Sequence, residues 1–335
     1  MLLVHPIQRL LFVEVEVLKV HLTTRLSIKT LATVLSVGLC LALLVAALVF
    51  GGVFASKDAP PQDDPVLVGA GDIADFTNAD DATAALIRDY SGTVFTLGDN
   101  AYGTASEAPL DLYYEPTWGT EKSRTMPIPG NHEYEHKNGA EYFDYFGAVA
   151  AEDNGGSYSY ERGDWHIIAL NTGQCYGRRE ADGSRAGCGP EDPMLVWLES
   201  DLEANQKQCT LVYFHHPLFS SSARRGSPDR AKAIWDLLYS YDADVVVNGH
   251  AHQYERFTPQ DPNGVEDPAR GIRQVVVGTG GRGLDGFGAT ATNSEVRNSD
   301  THGVIKFILR QGSYEWEFVP VSGKTFTDSG SHNCH

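Results

Sequence analysis

Short apolar runs that end in polar or glycine-containing stretches recur along residues 66–277. Runs of this length, bounded by turn residues, are typical of buried β-strands. Other segments carry apolar residues at helical spacing and predict helices, the first of them preceded by Asn78 as a candidate cap. The predicted strands are 66–71, 93–97, 125–129, 165–170, 210–214, 243–247 and 272–277, and the predicted helices are 79–90, 193–204 and 229–241.

Antiparallel pairs are predicted at two places. Alternating residues at 157–160 and the run at 165–170 flank Arg162-Gly163-Asp164, a sequence suited to a hairpin turn. Segments 304–309 and 314–319 form the second pair. Because strands alternate with helices early in the chain and lack them late, the pattern predicts a layered α/β architecture with mixed sheets.

The N-terminal region contains an uncharged run at residues 31–55. This run exceeds the roughly 18 apolar residues that cross a bilayer, so we expect a transmembrane anchor. Basic residues precede it, which places the segment 1–30 in the cytoplasm and the rest of the chain outside. A cleaved signal sequence is the alternative, because Val53-Phe54-Ala55 resembles a cleavage site. Both interpretations predict an extracytoplasmic protein, membrane-anchored or secreted, with a linker at 56–65.

The charge balance is strongly acidic, with 44 Asp and Glu against 26 Lys and Arg and a formal net charge of −18. Such a surface repels nucleic acid, so we expect no nucleic-acid partner. An anionic substrate would then need a local positive site. Bound metal ions are the obvious source of that charge.

The cysteines fit an exported protein. Cys175 and Cys188 bracket a polar loop that cannot pack a core by itself, and a disulfide there would stabilise it. Cys209 and Cys334 are candidates for a second bridge that holds the C-terminus. A zinc knuckle is the rival explanation, but neither pair has the close C-x-x-C spacing.

Residues that can ligate metals follow five of the predicted strands. Side chains at separate strand ends can converge at one edge of a sheet, where α/β folds place their sites. A mixture of carboxylate, imidazole and amide suits iron, manganese and zinc. Gly98-Asp99-Asn100 alone would be ordinary turn chemistry, whereas the ordered set has few such explanations. The set comprises Asp72, Asp99 with Tyr102, Asn131 with His132, His215, and His250 with His252.

In this order the motifs resemble those of the calcineurin-like metallophosphoesterases, and within them the purple acid phosphatase-like branch. That branch is marked by D-x-G, G-D-x-x-Y, G-N-H-[DE], V-x-x-H and G-H-x-H. The corresponding segments here are 72–74, 98–102, 130–133, 212–215 and 249–252, with Ala74 in place of the glycine.

The resemblance implies a four-layer αββα sandwich of two mixed β-sheets flanked by helices. It implies a catalytic domain at 66–320, followed by a C-terminal tail at 321–335. It also implies two metal ions with Asp99 as the shared ligand. A ferric ion would be held by Asp72, Asp99, Tyr102 and His252, and a zinc, manganese or ferrous ion by Asp99, Asn131, His215 and His250.

The implied activity is hydrolysis of small phosphate esters, most consistent with a phosphomonoesterase that uses a metal-bridging hydroxide. A phosphodiesterase or nucleotidase on the same site is the alternative, and a non-catalytic surface binding protein on this fold is a further one. His132 is the candidate proton donor to the leaving group. His216 and Arg225 are candidate substrate contacts. Packing beside Pro217 is the alternative for His216, and a solvated loop is the favoured explanation of Arg225.

Two further residues are expected to have ordinary roles. His166 lies in a predicted strand and is expected to be a hydrogen-bonded core histidine. Asp75 is expected to be a solvated acid rather than a group that supports the site.

Overall fold

Two β-sheets, built from thirteen strands, form the framework of the described chain. The computed structural model describes residues 64–103, 108–135, 137–177, 188–205, 207–225 and 228–335. The strands are β1 (Val66–Ala70), β2 (Thr93–Thr96), β3 (Thr125–Met126), β4 (Tyr158–Arg162), β5 (Trp165–Leu170), β6 (Cys209–Phe214), β7 (Val245–Asn248), β8 (Tyr254–Phe257), β9 (Arg273–Val277), β10 (Ser294–Asn298), β11 (Gly303–Arg310), β12 (Ser313–Pro320) and β13 (Ser329–Asn333).

The first sheet has the order β13-β12-β11-β1-β2-β3, and the second has the order β10-β8-β9-β7-β6-β5-β4. Both are mixed, since β1, β2 and β3 run parallel while β11 is antiparallel to β1. In the second sheet β5, β6, β7 and β9 run parallel. The central strands are buried on both faces, which explains why their sequences are continuous apolar runs rather than alternating ones.

Helices flank the two sheets, and this arrangement confirms the predicted fold class. Shorter 3₁₀ turns and the π-helical turn Leu110–Tyr114 connect the elements. Among the described residues no helix is both long enough and apolar enough to cross a membrane. The α-helices are α1 (Asp80–Arg88), α2 (Ala140–Phe146), α3 (Gly173–Gly177), α4 (Pro193–Ala204) and α5 (Lys232–Ser240).

The predicted elements are largely present. The helix predicted at 193–204 is α4, which begins with Asp192 as its N-cap. Both predicted antiparallel pairs are confirmed, as β4 with β5 and β11 with β12. The predicted cap at Asn78 is wrong, because the helix begins after Ala79 and no side chain caps it.

The C-terminal segment is joined to the first sheet. Residues 321–335 were expected to form a tail, but β13 pairs with β12 as the edge strand. The disulfide between Cys209 and Cys334, with Cα atoms 5.5 Å apart, fastens this strand to β6. The segment therefore belongs to the compact unit of residues 64–335. The anchor or signal sequence predicted at 31–55 lies outside the described residues.

The other predicted disulfide is also present. It joins Cys175 in α3 to Cys188, with Cα atoms 5.0 Å apart. Both cysteines are buried, and the backbone amide of Cys188 donates a hydrogen bond to the carbonyl of Arg230. The bridge thus fixes α3 against the segment that leads into α5.

Candidate metal centre

The carboxyl ends of β1, β2, β6 and β7, together with the turn that follows β3, carry the predicted ligand residues to one place. Ligand atoms of Asp72, Asp99 and His215 all lie within 4.8 Å of one another. Ligand atoms of His215, His216 and His250 meet the same limit. The two groups share His215, so together they form one continuous cluster.

The first half of the cluster surrounds the hydroxyl of Tyr102. This oxygen lies 2.8 Å from Asp72 Oδ1, 3.1 Å from Asp99 Oδ2 and 3.1 Å from His252 Nε2. His252 Nε2 also lies 3.2 Å from Asp72 Oδ1. Four potential ligand atoms therefore face a common point.

The second half surrounds the Nε2 atom of His215. Asp99 Oδ2 lies 3.3 Å from this nitrogen, and His250 Nδ1 lies 3.2 Å from it. Asn131 follows the β3 strand end, and its Oδ1 atom is buried. The Asp99 carboxylate thus contacts both halves of the cluster.

Two buried oxygens of the predicted ligand residues have no hydrogen-bond partner within the described part of the chain. They are Asp72 Oδ2 and Asn131 Oδ1. Buried polar atoms are nearly always paired, so unpaired ones need an explanation. A bound cation would be the missing partner of both oxygens. The donor set of carboxylates, imidazoles, phenol and amide fits iron, zinc or manganese.

The backbone at the strand ends is turned into an unusual conformation. Asp72, Asp99 and His250 have φ angles of 59°, 50° and 66°. Positive φ is uncommon outside glycine, and Asp, Asn and His tolerate it best. Such residues cluster at functional sites, where they re-aim side chains. Each of the three turns its side chain out of the strand direction and into the cluster.

Glycine is required where these turns touch. A Cβ atom at Gly130 would lie 2.2 Å from Asp99 Oδ1 and 2.4 Å from the Asp99 amide nitrogen. Gly98 combines a φ of 81° with a close approach to the backbone of Gly130. The glycines of the two motifs therefore allow the β2 and β3 ends to pack against each other.

Glu133 holds these two strand ends together, a role the sequence did not reveal. One carboxylate oxygen accepts hydrogen bonds from the amides of Gly130 and Asp99, at 2.6 and 3.0 Å. The other accepts from the amide of Asn100 at 2.7 Å. Glu133 is buried, and its position three residues after Gly130 was the available signal.

Backbone carbonyls fix the orientation of two imidazoles. His215 Nδ1 lies 2.6 Å from the carbonyl oxygen of Leu97, and His252 Nδ1 lies 2.8 Å from that of Gly283. A carbonyl can only accept, so each Nδ1 carries the proton and donates it. The Nε2 atoms then point into the cluster, which is the orientation that metal-binding histidines use.

Opposing effects set the charges of the cluster. Burial alone would raise the pKa of Asp99, but His215 and His132 outweigh it and hold that pKa well below its usual range. Burial alone would lower the pKa of His215, but the charge and hydrogen bond of Asp99, with the charge of Asp72, together outweigh it and raise that pKa to about 9. Burial, followed by the charge of Asp72, raises the pKa of Tyr102 well above its ordinary value. The carboxylates remain ionised, so the cluster attracts cations.

His132 and His216 lie beside the cluster. The amide of His132 donates to Asp99 Oδ1 at 2.8 Å, and its ring, 24% exposed, has Nδ1 3.1 Å from Glu135 Oε2. His216 is buried, and Tyr176 stacks on its ring with centroids 3.8 Å apart. Its Nδ1 atom lies 2.8 Å from Thr172 Oγ1, so the Thr172 hydroxyl bonds to Nδ1 and not to Nε2.

Arg225 pairs with Asp285 rather than standing free in a solvated loop. Its Nε lies 2.8 Å from Asp285 Oδ2. The amide of Asp285 donates to the carbonyl of His252 at 2.8 Å, which connects this pair to the cluster. The positive charge of Arg225 also acts to lower the pKa of Tyr102, and so opposes part of the rise that burial causes.

Two residues outside the predicted set support the cluster. Asp75 is only 2% exposed and accepts hydrogen bonds from Thr77 and Arg282, so the expectation of a solvated acid is wrong. Arg282 lies over the ring of Tyr102. The expectation for His166 is confirmed, since it is buried and bonded to Asp201 at 2.7 Å.

Comparison with known proteins agrees with this geometry. The family model for calcineurin-like phosphoesterases matches residues 53–254. Purple acid phosphatase 15 of Arabidopsis thaliana is 28% identical over 247 residues, covering 63% of this chain and 44% of the relative. Acid phosphatase type 7 of Homo sapiens is 30% identical over 155 residues, covering 40% of this chain and 33% of the relative. The chain thus spans about half the length, or less, of these curated relatives.

Solved structures show the same fold. A purple acid phosphatase from yellow lupin (Lupinus luteus) seeds aligns with a TM-score of 0.66 at 19% identity, covering 82% of this chain and 55% of that one. GAP50, described as the anchor in the inner membrane complex of Plasmodium, aligns with a TM-score of 0.60 at 14% identity, covering 82% and 90%. Because the family model spans more than half of the sequence, the chain belongs to the calcineurin-like phosphoesterase family.

Proposed function

We propose that the protein is a metal-dependent phosphoric ester hydrolase, and specifically a phosphomonoesterase of the acid phosphatase type with a dinuclear site. The observation that carries the proposal is the position of the Asp99 carboxylate. Its Oδ2 atom lies 3.1 Å from the hydroxyl of Tyr102 and 3.3 Å from His215 Nε2. One carboxylate oxygen between two groups of nitrogen and oxygen donors suits a bridging ligand.

The first ion, which we propose to be ferric, would be held by the donors around the Tyr102 hydroxyl. A hard trivalent ion favours carboxylate and phenolate oxygen. The unpaired Oδ2 atom of Asp72 supplies a further oxygen at this position. The ligands are Asp72, Asp99, Tyr102 and His252.

The second ion, which we propose to be zinc, manganese or ferrous iron, would be held on the other side of Asp99. Here imidazole nitrogens predominate, as borderline divalent ions prefer. The unpaired Oδ1 atom of Asn131 completes the set. The ligands are Asp99, Asn131, His215 and His250.

When bound, the two ions would supply the positive charge that activates a water molecule and neutralises the phosphoryl oxygens. The residues of the chain then have three tasks. Glu133 holds the two strand ends at a fixed separation through backbone amides. Asp99 keeps the two halves of the site in register. His216 and Arg225 border the site and are proposed to contact the substrate.

His132 is proposed to deliver the proton that the leaving alkoxide requires. Its Nδ1 can donate to Glu135 Oε2 at 3.1 Å, which fixes the orientation of the ring. Nε2, 3.9 Å from Asp99 Oδ2, then carries the proton on the side of the cluster. Partial exposure of the ring allows it to be protonated again from solvent after each turnover.

The ligands do not distinguish phosphomonoesters from diesters or nucleotides, so a phosphodiesterase or nucleotidase on this site is the alternative. A non-catalytic binding protein on the same fold is the less favoured one. Loss of ligand residues would support it, whereas the sequence retains every residue of the predicted ligand set. The two disulfides support an extracytoplasmic location.

The test combines metal analysis with a substrate panel. We expect the purified chain to contain two equivalents of metal and to hydrolyse a phosphomonoester faster than a diester or a nucleotide. Asn131→Ala and His250→Ala should lose metal and turnover together, whereas Asn263→Ala, in an exposed turn, should change neither. Full activity of Asn131→Ala and His250→Ala would overturn the proposed site. Faster diester cleavage would select the alternative.

A further inference from the structure

Arg282 covers one face of the Tyr102 ring. Its guanidinium carbon lies 4.6 Å from the ring centroid. This distance is within the roughly 6 Å over which a cation is attracted to the face of an aromatic ring. Arg282 lies in the loop after β9, far from Tyr102 in sequence, and no motif indicated the contact.

Hydrogen bonds fix both the side chain and the backbone of Arg282. Arg282 Nη1 donates to the carboxylate of Asp75, which is itself buried and accepts a hydrogen bond from the Thr77 amide at 2.8 Å. The backbone amide of Arg282 donates to the carbonyl of Asp72 at 2.9 Å. Its carbonyl lies 3.1 Å from His302 Nε2, which donates to it. Arg282 is therefore an ordered part of the site rather than a loose surface side chain.

The charge of this group is permanent, because arginine is not deprotonated in proteins. A cation on the ring face withdraws electron density from the aromatic system and stabilises negative charge on the phenolate oxygen. A phenolate stabilised in this way donates less electron density to a bound ion. The ion is then easier to reduce.

We propose that Arg282, fixed by Asp75, is a positioning residue that tunes Tyr102 as a ligand and raises the reduction potential of the ion bound there. This inference rests on the proposed role of Tyr102 as a metal ligand. It adds to that role a residue that acts through the Tyr102 ring.

The direct test is Arg282→Gln, which removes the charge and keeps a planar polar group. We expect the equilibrium between ferric and ferrous protein to shift about tenfold toward ferric, which is about 59 mV for one electron. We also expect the visible tyrosinate-to-iron band to move to longer wavelength, because the phenolate donor orbital rises in energy. Spectroelectrochemistry of the iron-loaded full chain measures both.

Three variants separate this effect from a general change in charge or folding. Arg282→Lys keeps the charge and should recover part of both shifts. Arg270→Gln removes a guanidinium 5.2 Å from the ring centroid of Tyr239, a similar stack away from the site, and should change neither value. In a Tyr102→Phe background, Arg282→Gln should shift the potential by much less than it does in the wild-type protein.

The outcomes also separate this proposal from the proposed function. A folded, metal-loaded Arg282→Gln protein with wild-type potential and band would overturn the role of Arg282. If the wild-type protein binds zinc or gallium with an ultraviolet tyrosinate signal but shows no visible iron band, the ferric assignment fails. In that case the proposed role of Arg282 requires that Arg282→Gln shift the ultraviolet tyrosinate signal. If no metal produces a tyrosinate signal, Tyr102 is not a ligand and this inference falls with it.

Discussion

The hydroxyl of Tyr102 donates a hydrogen bond to Asp72 Oδ1 across 2.8 Å. A tyrosinate bound to a metal ion has lost this proton. Burial first, and then the charges of Asp72 and Asp99, raise the pKa of Tyr102 well above its ordinary value, so the side chains by themselves keep the phenol protonated. Binding of an ion at this point must therefore release a proton, as binding to protonated ligands generally does.

Tyr102→Phe should abolish the visible colour of the iron-loaded protein and lower by about one the number of protons released on ferric binding. Absorption spectroscopy measures the colour, and calorimetry in buffers of different ionisation enthalpy measures the protons. Tyr241→Phe, whose hydroxyl bonds Glu203 outside the site, should behave like the wild type. A coloured Tyr102→Phe protein would show that another residue is the charge-transfer ligand.

Glu133→Gln should weaken metal binding although Glu133 is not a ligand. The carboxylate accepts from the amides of Gly130, Asp99 and Asn100, and the amide group of glutamine would point a donor at some of these donors. Loss of buried hydrogen bonds to a charged group costs on the order of 1–3 kcal/mol each.

The checks on Glu133→Gln are chemical denaturation and metal analysis. We expect a lower unfolding free energy and a lower metal content. Glu315→Gln, which removes an exposed pair with Arg310, is the matched control and should leave both unchanged. If Glu133→Gln keeps wild-type metal content, the strand ends are held by their glycine packing alone.

His132→Ala should slow hydrolysis according to the leaving group. General acid catalysis contributes roughly 10²–10⁴-fold, and only leaving groups that need a proton benefit from it. We expect about a 100-fold loss of kcat with an alkyl phosphate and a much smaller loss with a nitrophenyl phosphate. Metal content should be unchanged. Equal losses with both substrates would assign His132 to orientation of Asn131 or of the substrate instead.

The convergence of Asp72, Asp99, His215, His250 and His252 could be predicted because each lies just after an apolar strand. His250 and His252 come directly after β7, and a polar residue in that position has few ways to be buried without a partner. The alternating strand and helix patterns likewise predicted layers of helices on mixed sheets, whereas the four-layer arrangement was implied by the family resemblance. Features that depend on the local sequence pattern could therefore be predicted.

Contacts between segments that are distant in sequence could not be predicted. Arg282 and Asp75 are 207 residues apart, and neither lies in a motif that names the other. The strands β10 and β13, with sequences SEVRN and SGSHN, lack an apolar alternation because they form sheet edges. Their pairing depends on neighbouring strands and, for β13, on the Cys209–Cys334 bridge. Such features arise from tertiary structure rather than from local pattern.

Asp80 offers a test of stability away from the metal cluster. It lies at the start of α1, is buried, and accepts a hydrogen bond from the Thr117 hydroxyl. Burial, opposed in part by Thr117, raises the pKa of Asp80 from 3.8 to about 6. Between these values the folded protein binds more protons than the unfolded chain, so stability must fall as pH rises through this window.

Asp80→Asn should remove this pH-dependent loss of folding stability. Asparagine has the shape of the protonated acid and keeps an acceptor for Thr117. A shift of about two pKa units corresponds to about 3 kcal/mol. We therefore expect the variant to be more stable than the wild type by about 2–3 kcal/mol at pH 7 and nearly equal to it at pH 4, measured by urea denaturation. Asp164→Asn, at the exposed turn between β4 and β5, controls for the loss of one negative charge. If the Asp80→Asn protein is less stable than the wild type at pH 7, the Asp80 carboxylate is ionised in the folded protein and stabilises it as a hydrogen-bond acceptor.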